Sequence, residues 1–260
     1  MASYGPHFGE ESPLIGRCGS GTIFFSNCNL ECIYCQNYVI SQSGEGREFT
    51  KEELADVMLY LQRQGCHNIN LVTPTHVIPQ ILEALLVAVE QGLDIPLVYN
   101  SGGYESEATL HLLEGIIDIY MPDMKYADAK IGLECSGVDN YPEINKAAVK
   151  EMHRQVGDLQ VDGRGVATKG LLVRHLVLPS AMAGTAEVAR FLAQEVAMST
   201  YLNMMNQYRP CYRANRIPSL ARQLSKQEFI QAIELGQCED LKRMYVNNRL
   251  LHSEVSAHGR

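Results

Sequence analysis

The chain has 260 residues and a formal net charge of −8, with a sequence pI of about 5.5. This length allows one large domain or two small ones with a buried core, and an acidic balance without a block of Lys or Arg disfavours nucleic-acid binding through a basic face. The longest apolar stretches, such as residues 81–89, are too short to span a bilayer, and the N-terminus lacks the regions of a signal peptide. We therefore expect a cytoplasmic protein that binds neither nucleic acid nor membrane.

The N-terminal residues 1–17 show no periodicity and contain two prolines. We expect them to form a flexible, loosely packed arm. No composition shift or low-complexity tract divides the rest, so residues 18–260 are expected to form one domain that includes a C-terminal helix.

Three cysteines follow the first predicted strand, Thr22–Ser26, at the spacing C-x3-C-x2-C: Cys28, Cys32 and Cys35. Offsets of four and seven would place them on one face of a helix, but the asparagines at the strand exit favour a loop wrapped around a metal. The remaining five of the eight cysteines are scattered, which fits free thiols in a reducing compartment.

Beyond the cysteines, helices and strands alternate at intervals typical of repeated βαβ units and a parallel sheet. The predicted helices are residues 51–65, 79–92, 105–114, 141–157, 185–197 and 225–235, and the predicted strands are residues 69–72, 96–99, 116–121, 170–179 and 201–205. Thr50–Glu53 and Ser225–Glu228 have the capping-box pattern at the starts of the first and last of these helices. With the strand before the cysteines, the count is six βα repeats.

The cysteine triplet predicts a metal centre with one open coordination position, since four thiolates would close a site and three leave a vacancy. A zinc site completed by a distant ligand such as His76, Cys18 or Cys211 is an alternative, but structural zinc usually shows two close ligand pairs. An electron-transfer cluster would need a fourth cysteine at a familiar spacing. The pattern favours a [4Fe–4S] cluster with one iron that has no protein ligand.

Polar side chains mark the ends of later strands, where ligands of parallel sheets collect. Asp123 and Lys125 share one face if their strand continues through them, although a solvated ion pair is the alternative. Arg174 lies among apolar residues and needs an anion, for which Asp123 is one candidate, because burying an unpaired guanidinium is too costly. The segment Asn100–Gly103 is either a plain turn or part of a ligand site. The segment that starts at Thr73 is either a ligand contact or the start of a helix.

These features, with the aromatic Tyr34 directly before the third cysteine, resemble the radical S-adenosylmethionine (SAM) superfamily, and more narrowly its branch related to pyruvate formate-lyase activating enzymes. The resemblance covers residues 19 to about 235. The segments that carry it are residues 19–25, 34–37, 72–76, 99–104, 121–126 and 172–179. It implies an α/β fold, an open (β/α)6 partial TIM-type barrel.

The resemblance also implies a ligand set. The three cysteines would ligate three irons of a [4Fe–4S] cluster, and SAM would chelate the fourth. The residues expected to bind the cofactors are Tyr34, Thr73, Asn100, Ser101, Asp123, Lys125 and Arg174. In this chain Thr73-Pro74-Thr75 replaces the Gly-Gly-Glu turn that often follows the second strand, so backbone carbonyls are expected to meet the SAM amino group.

The activity implied is reductive cleavage of SAM to a 5′-deoxyadenosyl radical that abstracts hydrogen, with flavodoxin or ferredoxin as electron donor. A backbone glycine of a partner enzyme, a glycyl-radical enzyme, is the leading substrate. One alternative is a radical SAM reaction on a small molecule. Another, from a different class, is a non-catalytic iron–sulfur or zinc module that binds a partner. No catalytic side chain is predicted.

Overall fold

The computed structural model describes residues 1–251, which contain ten β-strands and nine α-helices. The strands are β1 (Ser3–His7), β2 (Ser20–Phe24), β3 (Ile69–Val72), β4 (Leu97–Ser101), β5 (Ile119–Pro122), β6 (Gln160–Val161), β7 (Ala167–Leu176), β8 (Tyr201–Met205), β9 (Arg243–Val246) and β10 (Arg249–Leu250). The helices are α1 (Ser12–Ile15), α2 (Tyr38–Ser41), α3 (Lys51–Arg63), α4 (Ile78–Glu90), α5 (Glu107–Leu112), α6 (Ala129–Ser136), α7 (Tyr141–Val156), α8 (Thr185–Phe191) and α9 (Lys226–Gln237).

One open sheet runs through the molecule in the order β1-β2-β3-β4-β5-β7-β8-β9-β10, with β6 paired beside β7. The strands from β2 to β9 along this path pair in parallel, while β1 and β10 are antiparallel additions at the two edges. The predicted α/β class with an open, mostly parallel sheet is confirmed. The six predicted strands correspond to β2, β3, β4, β5, β7 and β8, and β9 extends the parallel series by one.

The two faces of the sheet have different environments, and this difference positions the site. On one face, side chains such as Tyr99 and Tyr120 pack in the large core shared with the helices. On the opposite face, Val98, Ile119 and Leu172 form a smaller apolar cluster. Because alternate residues of a strand share a face, the residues that continue this second face toward the carboxyl ends of β4, β5 and β7 are Asn100, Asp123 and Arg174.

The N-terminal residues differ from the loose arm that their sequence suggests. Strand β1 pairs with β2 over its full length, from Ser3 opposite Phe24 to His7 opposite Ser20. Beyond it, Leu14 is fully buried in the second apolar cluster and Glu11 is only 4% exposed. This segment has no periodicity of its own. It is held in place by its pairing with β2 and by the burial of Leu14. The domain predicted to end at residue 260 extends past the described residues, since 252–260 lie outside them.

Of the residues that the structure describes, no helix is long and apolar enough to cross a membrane.

Candidate functional site

The cysteine triplet lies in a loop, as the flanking asparagines predict. Strand β2 ends at Phe24, no helix forms before α2, and Asn27 adopts a positive φ of 68°, a conformation that Asn tolerates better than most residues. All three cysteines, Cys28, Cys32 and Cys35, line one cavity of about 150 Å³ together with the carboxyl ends of β3, β4, β5 and β7. The loop therefore brings the thiols to the edge of the sheet where ligands of parallel sheets bind.

Each thiol has a hydrogen-bonding neighbour. The Leu30 amide donates to Cys28 Sγ at 3.4 Å, and the other two sulfurs lie beside serine hydroxyls, as described below. Burial raises the pKa of Cys28 to about 11 and also raises that of Cys32, so a bound metal would have to displace protons from these thiols. Within residues 1–251 no group of three or more His, Cys, Asp or Glu side chains is placed to hold a single metal ion. Three thiols that line one cavity fit an iron–sulfur cluster.

A half-buried charge triad of Asp123, Lys125 and Arg174 forms another part of the cavity lining. Asp123 Oδ2 lies 2.6 Å from Lys125 Nζ, and its Oδ1 lies 2.8 Å from the Arg174 guanidinium, which also donates to Asn100 Oδ1 at 2.8 Å. Burial acts to raise the pKa of Asp123, but Arg174 and Lys125 outweigh it and hold that pKa below its ordinary value. The triad carries one net positive charge and so favours an anionic ligand.

A second cavity of about 210 Å³ shares the triad, Cys32 and Cys35 with the first, and adds Tyr34, Met205 and Gln207. All seven predicted cofactor-binding residues line one or both of these cavities. Larger cavities of about 500 and 600 Å³ lie elsewhere and contain no cysteine, so the chemistry of the lining, not the volume, selects the site.

None of the distant residues considered as a fourth metal ligand lines the two cavities that hold the cysteine triplet. His76 Nε2 lies 2.7 Å from the carbonyl oxygen of Ser26 and lines one of the larger cavities. Cys18 and Cys211 are absent from the lining of the two cavities that hold the triplet.

The turn after β3 is strained and is held by a carboxyl group that the sequence did not reveal. Thr73 is β-branched yet has a φ of +59°, and its amide donates to the Asn100 carbonyl at 2.8 Å. Next to it, the Thr75 hydroxyl donates to Glu105 at 2.8 Å, and Tyr99 donates to the same carboxyl at 2.9 Å. Glu105 is 2% exposed, and burial raises its pKa to about 7. A glutamate just after a glycine turn has no sequence signal that separates it from a surface residue.

Replacing Glu105 by glutamine is expected to remove a pH dependence of stability. The pKa is raised from 4.5 to about 7 on folding, so the folded state holds a proton that the unfolded state releases, and the free energy of unfolding falls as pH rises through this window. At about 1.4 kcal/mol per pKa unit, the effect is on the order of 3 kcal/mol. Urea unfolding of both proteins at pH 5 and pH 8 measures it; equal pH dependence of wild type and Glu105→Gln would contradict it.

Helix α7 supports the strand ends from outside the cavity. The Tyr141 hydroxyl lies 2.8 Å from the Gly102 carbonyl and 3.0 Å from the Asp123 carbonyl. One turn further along, Asn145 Nδ2 donates to the carbonyls of Gly103 at 2.9 Å and of Asp123 at 3.0 Å. These bonds tie the exits of β4 and β5 together and so fix the position of the Asp123 side chain. Sequence periodicity placed both residues in a helix and gave no indication of this role.

Gly103 is a position where alanine is expected to be strongly destabilising. Its φ is +71°, and a Cβ there would overlap the Asp123 carbonyl oxygen and the Asn145 amide nitrogen. Strain and overlap together should lower the free energy of unfolding by about 3 kcal/mol or more. Gly115 is the matched control, because it has a φ of +78° with open space around its Cβ, so Gly115→Ala should cost only about 1 kcal/mol. Equal losses in denaturant titrations would mean that the overlap is relieved.

Comparisons with known sequences point to one family. A family model described as Radical SAM superfamily matches residues 22–162. The uncharacterized protein MJ0674 of Methanocaldococcus jannaschii is 31% identical over 249 residues, which cover 92% of this chain and 67% of that protein.

Solved structures share the fold at low identity. Streptococcus suis SuiB bound to S-adenosylmethionine has a TM-score of 0.60 and 14% identity, over 86% of this chain and 49% of SuiB. Methylornithine synthase (PylB) has a TM-score of 0.54 and 15% identity, over 92% of this chain and 76% of PylB. The chain thus spans about half the length of SuiB, and at these identities the likeness concerns the fold.

Proposed function

This chain belongs to the radical SAM superfamily, whose members bind SAM and a [4Fe–4S] cluster, and from that premise we propose that it is an enzyme that cleaves SAM reductively. The observation that carries the proposal is the shared cavity, which is lined by the three thiols of the cysteine loop, the charge triad and the exits of four parallel strands. These lining residues fit both cofactors. The thiols would hold the cluster, and the charge triad would lie near the charged amino-acid part of SAM.

In this proposal Cys28, Cys32 and Cys35 hold the cluster. When bound, it supplies the electron that splits SAM into methionine and the 5′-deoxyadenosyl radical, which takes a hydrogen atom from the substrate. The protein binds and orients. The positive charge of Lys125 and Arg174, only partly neutralised by Asp123, attracts the SAM carboxylate.

The remaining lining residues would hold other parts of SAM. Asn100 and Ser101, at the end of β4, line the same cavity as the strained Thr73 turn, and in this proposal they would hydrogen-bond polar groups of the ligand. Tyr34 would contribute its ring, because its hydroxyl is engaged with Tyr126. Apolar neighbours such as Leu30 line the same space and would help to exclude water from it.

For the substrate we propose a backbone glycine of a partner enzyme, on the basis of the sequence segments that resemble the activating-enzyme branch. SuiB, which shares the fold, has been solved with its precursor peptide SuiA, a precedent for a polypeptide substrate on this scaffold. A small-molecule substrate is the second candidate. We place the protein in the cytoplasm, where flavodoxin or ferredoxin would supply the electron.

Anaerobic reconstitution of the full chain with iron and sulfide tests the proposal. We expect a reduced-cluster EPR signal that changes when SAM is added, together with formation of 5′-deoxyadenosine. An EPR signal indifferent to SAM and no 5′-deoxyadenosine would overturn it, and zinc without acid-labile sulfide would favour a binding module. Transfer of a radical to a purified glycyl-radical enzyme, read by EPR, separates the protein substrate from a small molecule.

A further inference from the structure

A chain of three buried hydroxyl groups ends on one of the cluster cysteines. The hydroxyls of Tyr34 and Tyr126 lie 2.6 Å apart, Tyr126 lies 2.8 Å from Ser136 Oγ, and Ser136 Oγ lies 3.0 Å from Cys32 Sγ. All four side chains are at most 8% exposed. Within the described residues the three hydroxyls form hydrogen bonds only with one another and with Cys32 Sγ.

The end of helix α6 creates this arrangement. The amides of Glu31 and Ile33, on either side of Cys32, donate to the carbonyls of Ser136 and Cys135 at 3.1 and 2.9 Å. These carbonyls lie in the last turn of the helix, where intrahelical partners are lacking. The cysteine loop is therefore fastened to the helix end by its backbone, and the hydroxyl of the last helical residue is held against the sulfur.

A thiolate bound to iron fixes the direction of every proton in the chain. A thiolate sulfur can only accept, so the Ser136 hydroxyl must donate to Cys32. The Ser136 oxygen is then free to accept from Tyr126, and the Tyr126 oxygen accepts from Tyr34. The reverse order would leave the Tyr34 proton without an acceptor in a buried site, which is costly. Each hydrogen bond polarises the next, so the serine donates more strongly than an isolated hydroxyl would.

We propose that the Tyr34–Tyr126–Ser136 chain sets the reduction potential of the cluster through Cys32, an inference that rests on the cluster assignment in the proposed function. Reduction adds one electron, and part of its charge falls on the cysteine sulfurs. A donor to a sulfur stabilises this added charge and makes the potential less negative. These residues act through Cys32 and are positioning residues, not catalytic ones.

Cys35 offers an internal comparison. Its sulfur lies 3.1 Å from Ser41 Oγ, and within the described residues the other partner of that hydroxyl is the Gln42 side-chain amide, which donates to it at 3.4 Å. The Gln42 bond is long, so it reinforces the donation of Ser41 less than the 2.8 Å bond from Tyr126 reinforces that of Ser136. We expect the removal of the Ser41 hydroxyl to shift the potential less than the removal of the Ser136 hydroxyl.

The test is an anaerobic redox titration of the cluster-loaded full chain with dithionite and mediators, followed by EPR in the absence of SAM. Ser136→Ala should shift the midpoint potential to more negative values. Tyr126→Phe should produce a smaller shift of the same sign, and Tyr34→Phe a smaller one still. Ser136→Thr keeps the hydroxyl and should have the wild-type potential. Iron and sulfide content are measured for each variant, and Tyr126→Phe, which keeps Ser136, decides the matter if Ser136→Ala fails to hold a cluster.

Tyr208→Phe is the matched control. The Tyr208 ring packs with its centroid 5.8 Å from that of Tyr34. Its hydroxyl donates to the Leu220 carbonyl at 2.6 Å and takes no part in the Tyr34–Tyr126–Ser136 series of hydrogen bonds. Its potential should equal the wild-type value. An unchanged potential in both Ser136→Ala and Tyr126→Phe, or an equal shift in Tyr208→Phe, would overturn the inference. The titration contains no SAM, so it is independent of SAM cleavage. If the midpoint potentials shift in the expected order but the protein never cleaves SAM, only the proposed function is refuted. If the wild type assembles no four-iron cluster, both the proposed function and this inference are refuted.

Discussion

Replacing any one of Cys28, Cys32 and Cys35 by alanine is expected to reduce cluster iron and SAM cleavage to background. The three thiols line one cavity, and a cluster that depends on three protein ligands has no spare one to compensate for a loss. Iron and acid-labile sulfide after anaerobic reconstitution, and 5′-deoxyadenosine formed with dithionite and SAM, measure the two effects. Circular dichroism of the unloaded variants shows whether the fold survives.

Other cysteines of the same chain provide the controls. Cys18 is exposed and Cys211 half-buried, and neither lines the cavities that hold the triplet. Cys18→Ala and Cys211→Ala should therefore retain iron at the wild-type level. Loss of all metal in Cys211→Ala would instead indicate a fourth protein ligand, and the open coordination position on which SAM cleavage depends would not exist.

The elements that local sequence determines were predicted well. Both capping boxes form with reciprocal bonds, at Thr50–Glu53 and Ser225–Glu228, because a cap depends on residues three apart. Strand Ile69–Val72 has the predicted bounds. The anion required by Arg174 is Asp123, one of the candidates named from the sequence, since the cost of a buried unpaired charge restricts what can surround it.

Features that depend on distant contacts were not predicted. Ser136 lies 104 residues from Cys32 in sequence, and it ends helix α6, which is not among the helices predicted from the sequence. Glu105 and Asn145 acquire their roles only when separate strands and helices meet. The strand at residues 3–7 was also not predicted, because its sequence lacks periodicity and its place is given by pairing with β2. Periodicity identifies elements, whereas the shell that supports a site is a product of packing.

Asp123→Ala is expected to lower the free energy of unfolding of the unloaded protein by about 3–5 kcal/mol. Asp123, Lys125 and Arg174 form a triad whose side chains are at most 20% exposed, so removal of the carboxylate leaves two cations without their anion in a poorly hydrated space. The pKa of Asp123 is lowered on folding, so its contribution is present above its unfolded pKa and disappears as pH falls toward the folded value. Urea titrations at pH 7 and pH 3 should therefore show a smaller difference from wild type at the lower pH.

The exposed pair Lys150–Glu195 provides the scale for comparison. Its side chains are 47% and 50% exposed, so Glu195→Ala should cost much less than Asp123→Ala. In the double variant Asp123→Ala/Lys125→Met one of the two orphaned cations is gone, and the loss should be smaller than in Asp123→Ala alone. If Asp123→Ala cost no more than Glu195→Ala, water would already solvate Lys125 and Arg174. Their charges would then be screened, and attraction of the SAM carboxylate would have to come from the backbone at the ends of β3 and β4.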